Sequence, residues 1–212
     1  MTCVIVDYNS GNLRSAEKSF ERMAAETGDK VLVSSDPDVV AKAGRIVLPG
    51  VGAFKDCRDG LGGYDGLYEA IRQRVIDEGA PFLGICVGMQ LMASMGREHG
   101  HETPGFGWIP GEVVEITPND PTLKIPHMGW NELNIDQPHP VLEGITHRDH
   151  AYFVHSYHLV PENHDHVLAH ANYGGQITAM VGRDNMVGTQ FHPEKSQKTG
   201  LRLIGNFLRW TP

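Results

Sequence analysis

Cysteine is scarce in this 212-residue chain: Cys3, Cys57 and Cys86 are all it has. The number is odd and no C-x-x-C spacing occurs, which argues against a disulfide framework or a thiolate metal ribbon. Three free thiols suit a reducing cytosol. Long hydrophobic runs are missing as well. No window approaches the roughly 18 apolar residues of a membrane span, and the N-terminal "MTCVIVDYNSGN" places no charged segment ahead of an apolar one. We therefore expect a soluble, cytoplasmic protein without a leader or an anchor. Low-complexity tracts and internal repeats are absent. Basic residues are outnumbered, 18 Lys+Arg against 26 Asp+Glu for a formal net charge of −8. That balance speaks against nucleic acid or an anionic membrane as a partner.

What remains is an ordinary globular composition, 40% hydrophobic and 21% charged. The length suits one α/β domain over 1–212, with a core that needs no metal or disulfide staple. Short apolar runs at 2–8, 30–35, 45–50 and 81–85 read as strands. Between them, 13–25 has helical spacing with Leu13, Ala16, Phe20, Met23 and Ala24 on one face, and 37–44 is a short helix starting at Pro37. The segment 65–79 carries Leu67, Ala70, Ile71, Val75 and Ile76 as a stripe with Gly79 as its stop, and 88–96 reads as a helix ending at Gly96. This alternation implies βαβ units and a mostly parallel sheet. Beyond about residue 105 the texture becomes β runs and turns, including a single run "YFVHSYHLV" and a hairpin around "GRDN" (182–185), closed by a helix over 200–210. These read as antiparallel additions to the same domain.

The chemistry centres on "GICVG", residues 84–88. G-x-C-x-G between a strand and a helix is the cysteine counterpart of the G-x-S-x-G nucleophile elbow, a sharp strained turn at a strand's carboxyl end. Gly84 and Gly88 allow the strand and helix backbones to approach. The helix start favours a thiolate through its free N–H groups, and the Val87 N–H is placed to donate to an oxyanion. The competing reading is a small buried core cysteine, a common fate of this residue. Cys3, inside a β run, and Cys57, in a polar loop, lack such a frame and are read as structural. A cysteine nucleophile needs an oriented base. "FHPE" (191–194) offers one, with Glu194 two residues from His192 and able to accept from the imidazole; the alternative is a surface turn with a capping glutamate. "LPGVGAF" (48–54) also follows a β run and ends at the same sheet edge. Without a Gly-Lys-Ser/Thr it is no phosphate loop; it is either a second oxyanion wall or a plain turn.

Together, "PGVGAF", "GICVGMQLM" and "FHPE", in this order, resemble the class I (triad-type) glutamine amidotransferase family, and the resemblance spans nearly the whole chain. The stretches "IVDYNSGNLRSAEKSFER", "PHMGWN" and "YFVHSYH" look more narrowly like its histidine-pathway branch, the glutaminase subunits of imidazole glycerol phosphate synthase. The resemblance implies a flavodoxin-like α/β fold, a mostly parallel sheet flanked by helices. It implies that Cys86 attacks the side-chain amide of L-glutamine, His192 shuttles the proton and Glu194 orients His192. It also implies that the backbone of Val51, Gly52 and Val87 holds the oxyanion, and that Gly50, Gly52, Gln90, Ser156 and Tyr157 grip glutamine. No cofactor and no metal are implied. The ammonia would pass to a separate cyclase subunit with a (β/α)8 barrel, forming a heterodimer, with Asn12, Trp130 and Lys195 near the partner. Asn12 has the alternative of a helix cap, Trp130 of core, and Lys195 of a solvated charge. The extra histidines, His139, His147, His150, His155 and His158, are left as structural or surface groups. Two rivals stand beside this reading: the glutaminase of another synthase, of pyridoxal phosphate or anthranilate type, and a non-catalytic flavodoxin-like thiol sensor.

Overall fold

The apolar runs of the N-terminal half become neighbouring strands of one sheet in the computed structural model, which describes residues 1–212. In chain order they are β1 (Thr2–Val6), α1 (Leu13–Thr27), β2 (Lys30–Ser34), α2 (Pro37–Val40), β3 (Arg45–Gly50), α3 (Phe54–Gly62), α4 (Leu67–Arg72), β4 (Phe82–Cys86) and α5 (Val87–Gln90). Then come β5 (Met95–Glu98), β6 (His101–Pro104), β7 (Gly111–Glu115), β8 (His127–Glu132), β9 (Asn134–Ile135), β10 (His150–His155) and β11 (Tyr157–Pro161). The chain closes with β12 (Val167–Asn172), β13 (Gln176–Arg183), β14 (Met186–Thr189) and α6 (Gln197–Arg209).

The main sheet has the order β2-β1-β3-β4-β14-β13-β12-β9. Pairing is parallel from β2 through β14 and antiparallel from there to β9. This is the parallel sheet with antiparallel additions that the alternation predicts. Every residue of β3 and β4 is buried, as expected for central strands covered on both faces. On one side α1 buries Ala16, Phe20 and Ala24 and ends where Gly28 turns left-handed. Phe20 meets Phe207 of α6 edge to face at 6.4 Å, and full burial of one such ring stabilises the fold by about 1.5–3 kcal/mol. A four-stranded sheet, β11-β7-β5-β6, and the pair β10-β8 cover the carboxyl end of the main sheet's centre. No helix is long and apolar enough to cross a membrane.

Several elements differ from the sequence expectation. Residues 54–62 form α3, so Cys57 lies on a helix and is buried with Phe54 and Leu61 rather than in a polar loop. The expected helix 65–79 is α4 followed by a π turn over Gln73–Asp77. The wider turn keeps Val75 inside but swings Ile76 out, 43% exposed. The helix expected to reach Gly96 stops after one turn at Gln90. Its next carbonyls, Leu91, Met92 and Ala93, accept instead from Phe106, Ile109 and Gly107. "YFVHSYH" is two strands in two sheets, broken at Ser156, and "HMGWN" is strand β8 rather than a turn.

Candidate active site

Three adjacent strands, β3, β4 and β14, end side by side, with Gly50 opposite Cys86 and Thr189 opposite Ile85. In a parallel sheet this carboxyl edge is where ligands settle. Cys86 sits there at φ 55°, ψ −112°, a positive φ that a side chain adopts only under constraint. The glycines explain the constraint. A Cβ on Gly88 would lie 1.8 Å from the Leu48 carbonyl oxygen, and one on Gly84 2.6 Å from the Gly88 oxygen. Strand and turn backbones thus touch, and only glycine fits between them. Because α5 has only four residues, the local N–H groups of its first turn, more than a long-range macrodipole, face the thiol.

His192 follows β14 in a turn that its neighbours lock. Its N–H donates to the Tyr152 carbonyl (2.9 Å), and the Ser196 hydroxyl donates to the His192 carbonyl (2.7 Å) while accepting from the Tyr152 N–H (2.9 Å). Nδ1 lies 2.8 Å from the Glu194 Oε1, with both side chains buried. A carboxylate only accepts, so Nδ1 carries the hydrogen and Nε2 is left for chemistry. Burial works against a charged ring here, but the adjoining Cys86 and Glu194 outweigh it and raise the His192 pKa to about 10. Nε2 itself makes no formed hydrogen bond. The raised value comes first from the closeness of the Cys86 sulfur and the Glu194 carboxylate to the ring and then from their charge.

A cavity of about 440 Å³ joins these groups, and it is lined by Cys86, His192, Val51, Gly52, Val87, Gln90, Ser156 and Tyr157 among others. Eight of the sequence-selected residues therefore meet in one place, although Val51 and His192 are 141 positions apart in the chain. Gly50 lies beneath that wall, buried against the Gly88 N–H. The Val51 N–H, an expected oxyanion donor, is engaged by the Ser10 hydroxyl at 3.3 Å, which in turn donates to the Val51 carbonyl at 2.8 Å. In this state Gly52 and Val87 are the donors without that restraint. The three surface candidates lie elsewhere. Trp130 is 47% exposed on β8 beside Met128, 66% exposed, and packs against Tyr152, over which the exposed Lys195 places its Nζ. Asn12 starts α1 and caps it only through its carbonyl, not its side chain.

Sequence reasoning missed several groups. Gln190, fully buried between Thr189 and Phe191, donates from Nε2 to the Cys86 Sγ at 3.6 Å. Glu98 and Glu115 line the cavity mouth, and Glu98 is also fixed by the Phe54 N–H. His155 forms part of the wall, bonded to His127 at 2.9 Å. Burial pushes His155 down to about 3 and His127 to about 4, so both are neutral at physiological pH. The only legible signal was for Gln190, a polar residue inside an otherwise apolar "VGTQF".

The sequence profile of the family described as glutamine amidotransferase class-I matches residues 4–210. The imidazole glycerol phosphate synthase subunit HisH of Cereibacter sphaeroides is 67% identical over 213 residues, and that of Ruegeria pomeroyi 61%, each pair covered end to end. Among solved structures, a glutamine amidotransferase is similar at TM-score 0.71 and 20% identity, covering 97% of both chains. The Trypanosoma brucei CTPS glutaminase domain is similar at TM-score 0.66 and 14% identity, covering 100% of this chain and 95% of that one. These two likenesses establish the fold, and the closer relatives establish the branch. This chain belongs to the class-I glutamine amidotransferase family, in its branch of imidazole glycerol phosphate synthase HisH subunits.

Proposed function

We propose that the chain is the glutaminase subunit of an imidazole glycerol phosphate synthase, hydrolysing L-glutamine to glutamate and ammonia for histidine biosynthesis. The observation that carries this is a cysteine on a positive-φ turn, sharing a cavity with a histidine whose Nδ1 is bound by a buried glutamate. His192 Nε2 takes the Cys86 proton and sulfur attacks the side-chain amide carbon, while the C=O electron pair moves to oxygen. The Val87 and Gly52 N–H groups receive that oxyanion, with Val51 joining if its bond to Ser10 opens. Collapse of the adduct expels ammonia with the proton from Nε2 and leaves a γ-glutamyl thioester. Water, deprotonated by His192, then attacks the thioester carbon, and collapse breaks the C–S bond, returning sulfur to Cys86 as a thiolate and releasing glutamate. Glu194 keeps the ring oriented and offsets its positive charge throughout.

The substrate's backbone end suits the other walls. The Gln90 Nε2 hydrogens are already spent on the Tyr157 carbonyl (2.9 Å) and Gln190 Oε1 (3.0 Å), so Gln90 offers its own oxygen to glutamine. Glu98 and Glu115 provide negative charge for an α-ammonium, and Gly50, Gly52, Ser156 and Tyr157 frame the chain. The ammonia goes to a cyclase subunit, a (β/α)8 barrel in a heterodimer, docked over Asn12, Trp130 and Lys195. The exposed Met128–Trp130 stripe supports an apolar contact there. A single domain over 1–212 is supported by a main sheet that draws strands from both halves of the chain. Three free cysteines favour the cytosol. A glutamine-like alkylator tests the reading: it should label Cys86, spare Cys3 and Cys57, and abolish glutaminase activity stimulated by the cyclase. Stimulation by a different synthase and none by the cyclase would overturn the assignment.

A further inference from the structure

We propose that Gln190 is a fourth catalytic residue, whose amide N–H holds the sulfur of Cys86 when it carries charge. The inference rests on the thioester reading above and adds to it a group outside the triad.

The amide orientation follows from the hydrogen-bond network, although nitrogen and oxygen look alike in outline. The Tyr157 carbonyl can only accept. It receives the Gln90 Nε2 at 2.9 Å, and His155 Nδ1 fills its other lone pair at 2.9 Å. Gln90 must therefore present its nitrogen to Tyr157. Its second hydrogen needs an acceptor, and Gln190 Oε1 lies 3.0 Å away. That contact turns the nitrogen end of Gln190 toward Cys86, 3.6 Å from Sγ. Flipping Gln90 would set oxygen against the Tyr157 oxygen, and flipping Gln190 alone would set nitrogen against nitrogen, both in a fully buried place. Gln190 has no freedom to escape: it is buried completely, and its own N–H donates to the Ala179 carbonyl at 2.8 Å. The His155 ring is fixed in turn. Its Nε2 accepts from His127 Nδ1 at 2.9 Å, and His127 Nε2 accepts from Asn131 Nδ2 at 3.2 Å. One direction of donation therefore runs from Asn131 to the Tyr157 carbonyl, and a second runs from Gln90 through Gln190 to sulfur.

The donor matters at two moments. It stabilises the thiolate that forms when His192 takes the proton, and it stabilises the same thiolate as leaving group when the hydrolysed adduct collapses to glutamate. Hydrogen bonds to an ionised acceptor are about twice as strong as neutral ones, so the bond strengthens as sulfur gains charge. It acts on sulfur and leaves the oxyanion to Val87 and Gly52.

Gln190→Met keeps the side-chain length and removes the donor. We expect iodoacetamide to alkylate Cys86 in the full-length chain at pH 7.5 about tenfold more slowly, followed on the peptide that contains it. We expect kcat for glutamine, with the cyclase present, to fall about 10- to 100-fold. Gln190→Glu retains the acceptor for Gln90 and replaces the donor with a carboxylate, so it should slow alkylation further; it also serves if the Met variant fails to fold. Alkylation and kcat within twofold of the parent in the folded variant, while Cys86→Ser abolishes turnover, would discard the role of Gln190 and leave the thioester intact. Full glutamine turnover by Cys86→Ser would instead remove the thioester reading itself.

Discussion

Lowering the pH from 7.5 to 5 should destabilise this protein through a small set of identifiable histidines. Burial holds His127 and His158 down to about 4 and His155 to about 3, against an ordinary value near 6.5. For a histidine with a lowered folded pKa, the stabilisation is complete above 6.5 and is lost as the pH falls toward the folded value. At pH 5 the unfolded chain binds nearly one proton at each ring and the folded chain almost none, a loss of about 2 kcal/mol per ring. His155 and His158 reach cavities and His127 shares a hydrogen bond with His155. Discounting for solvent screening and that coupling leaves about 3–5 kcal/mol for the three. His139, also lowered by burial, adds with the same sign. His192 does not mask this limb. Raised to about 10, it contributes stability fully present below 6.5 and lost as the pH climbs through 10. For a chain of this size the acid loss is roughly 6–20 °C in Tm. The assay is denaturant unfolding at half-unit steps from pH 7.5 to 5, above the carboxylate range. The slope near pH 5.5 should correspond to about two to three protons taken up on unfolding. His158→Gln, outside the active site, should remove about one of them. Uptake of less than one proton by the parent would refute the claim that these rings are held neutral.

Other outcomes follow from the site. Cys86→Ser should abolish glutamine-dependent synthesis in the assembled complex while added ammonium salt still drives the cyclase; retained glutamine turnover would contradict the mechanism. Glu194→Gln replaces the acceptor at His192 Nδ1 and should lower kcat about 10²–10⁴-fold with KM within threefold, read in steady-state assays. Gly88→Ala places a Cβ 1.8 Å from the Leu48 oxygen, and should cost more than about 3 kcal/mol in chemical denaturation, with loss of activity. Trp130→Ala should leave unfolding within about 0.5 kcal/mol, because the ring is half exposed, yet weaken cyclase binding at least tenfold by titration; unchanged affinity would place the interface elsewhere.

The parts of this site legible in the sequence are those imposed by backbone sterics or by neighbours a few residues apart. Gly84, Cys86 and Gly88 mark the elbow because the turn tolerates little else. His192 and Glu194 meet within one turn, so their pairing is written locally. Gln190, Ser196 and the His127–His155 pair were missed for the opposite reason. Gln190 acquires meaning only beside Cys86, 104 residues away, and His155 only beside His127, 28 residues away across a strand pairing. Patterning likewise misjudged α3. Phe54, Cys57 and Leu61 keep helical spacing, but the intervening charges and glycines resemble a loop, and tertiary burial overrides that weak propensity.

The premature end of α5 shows that one such error and the site have a common cause. A helix continued to Gly96 would have kept the carbonyls of Leu91 and Met92 for itself and left that of Ala93 at its open end. Instead the segment 106–109 takes them, and a Cβ on Gly105 would sit 2.1 Å from the Ala93 oxygen, so the close approach needs glycine there. Stopping the helix frees Met95–Glu98 to become β5, which pairs with β7 and brings Glu98 and Glu115 to the cavity mouth. It also lets the Glu98 carboxylate reach the Phe54 N–H at the start of α3. The chain thus exchanges about one and a half turns of helix for a second sheet that walls the pocket. The apolar "LMASM" read as helix because its spacing permits one. Its carbonyls are satisfied from outside, and that choice places two carboxylates where the α-ammonium of glutamine is proposed to bind.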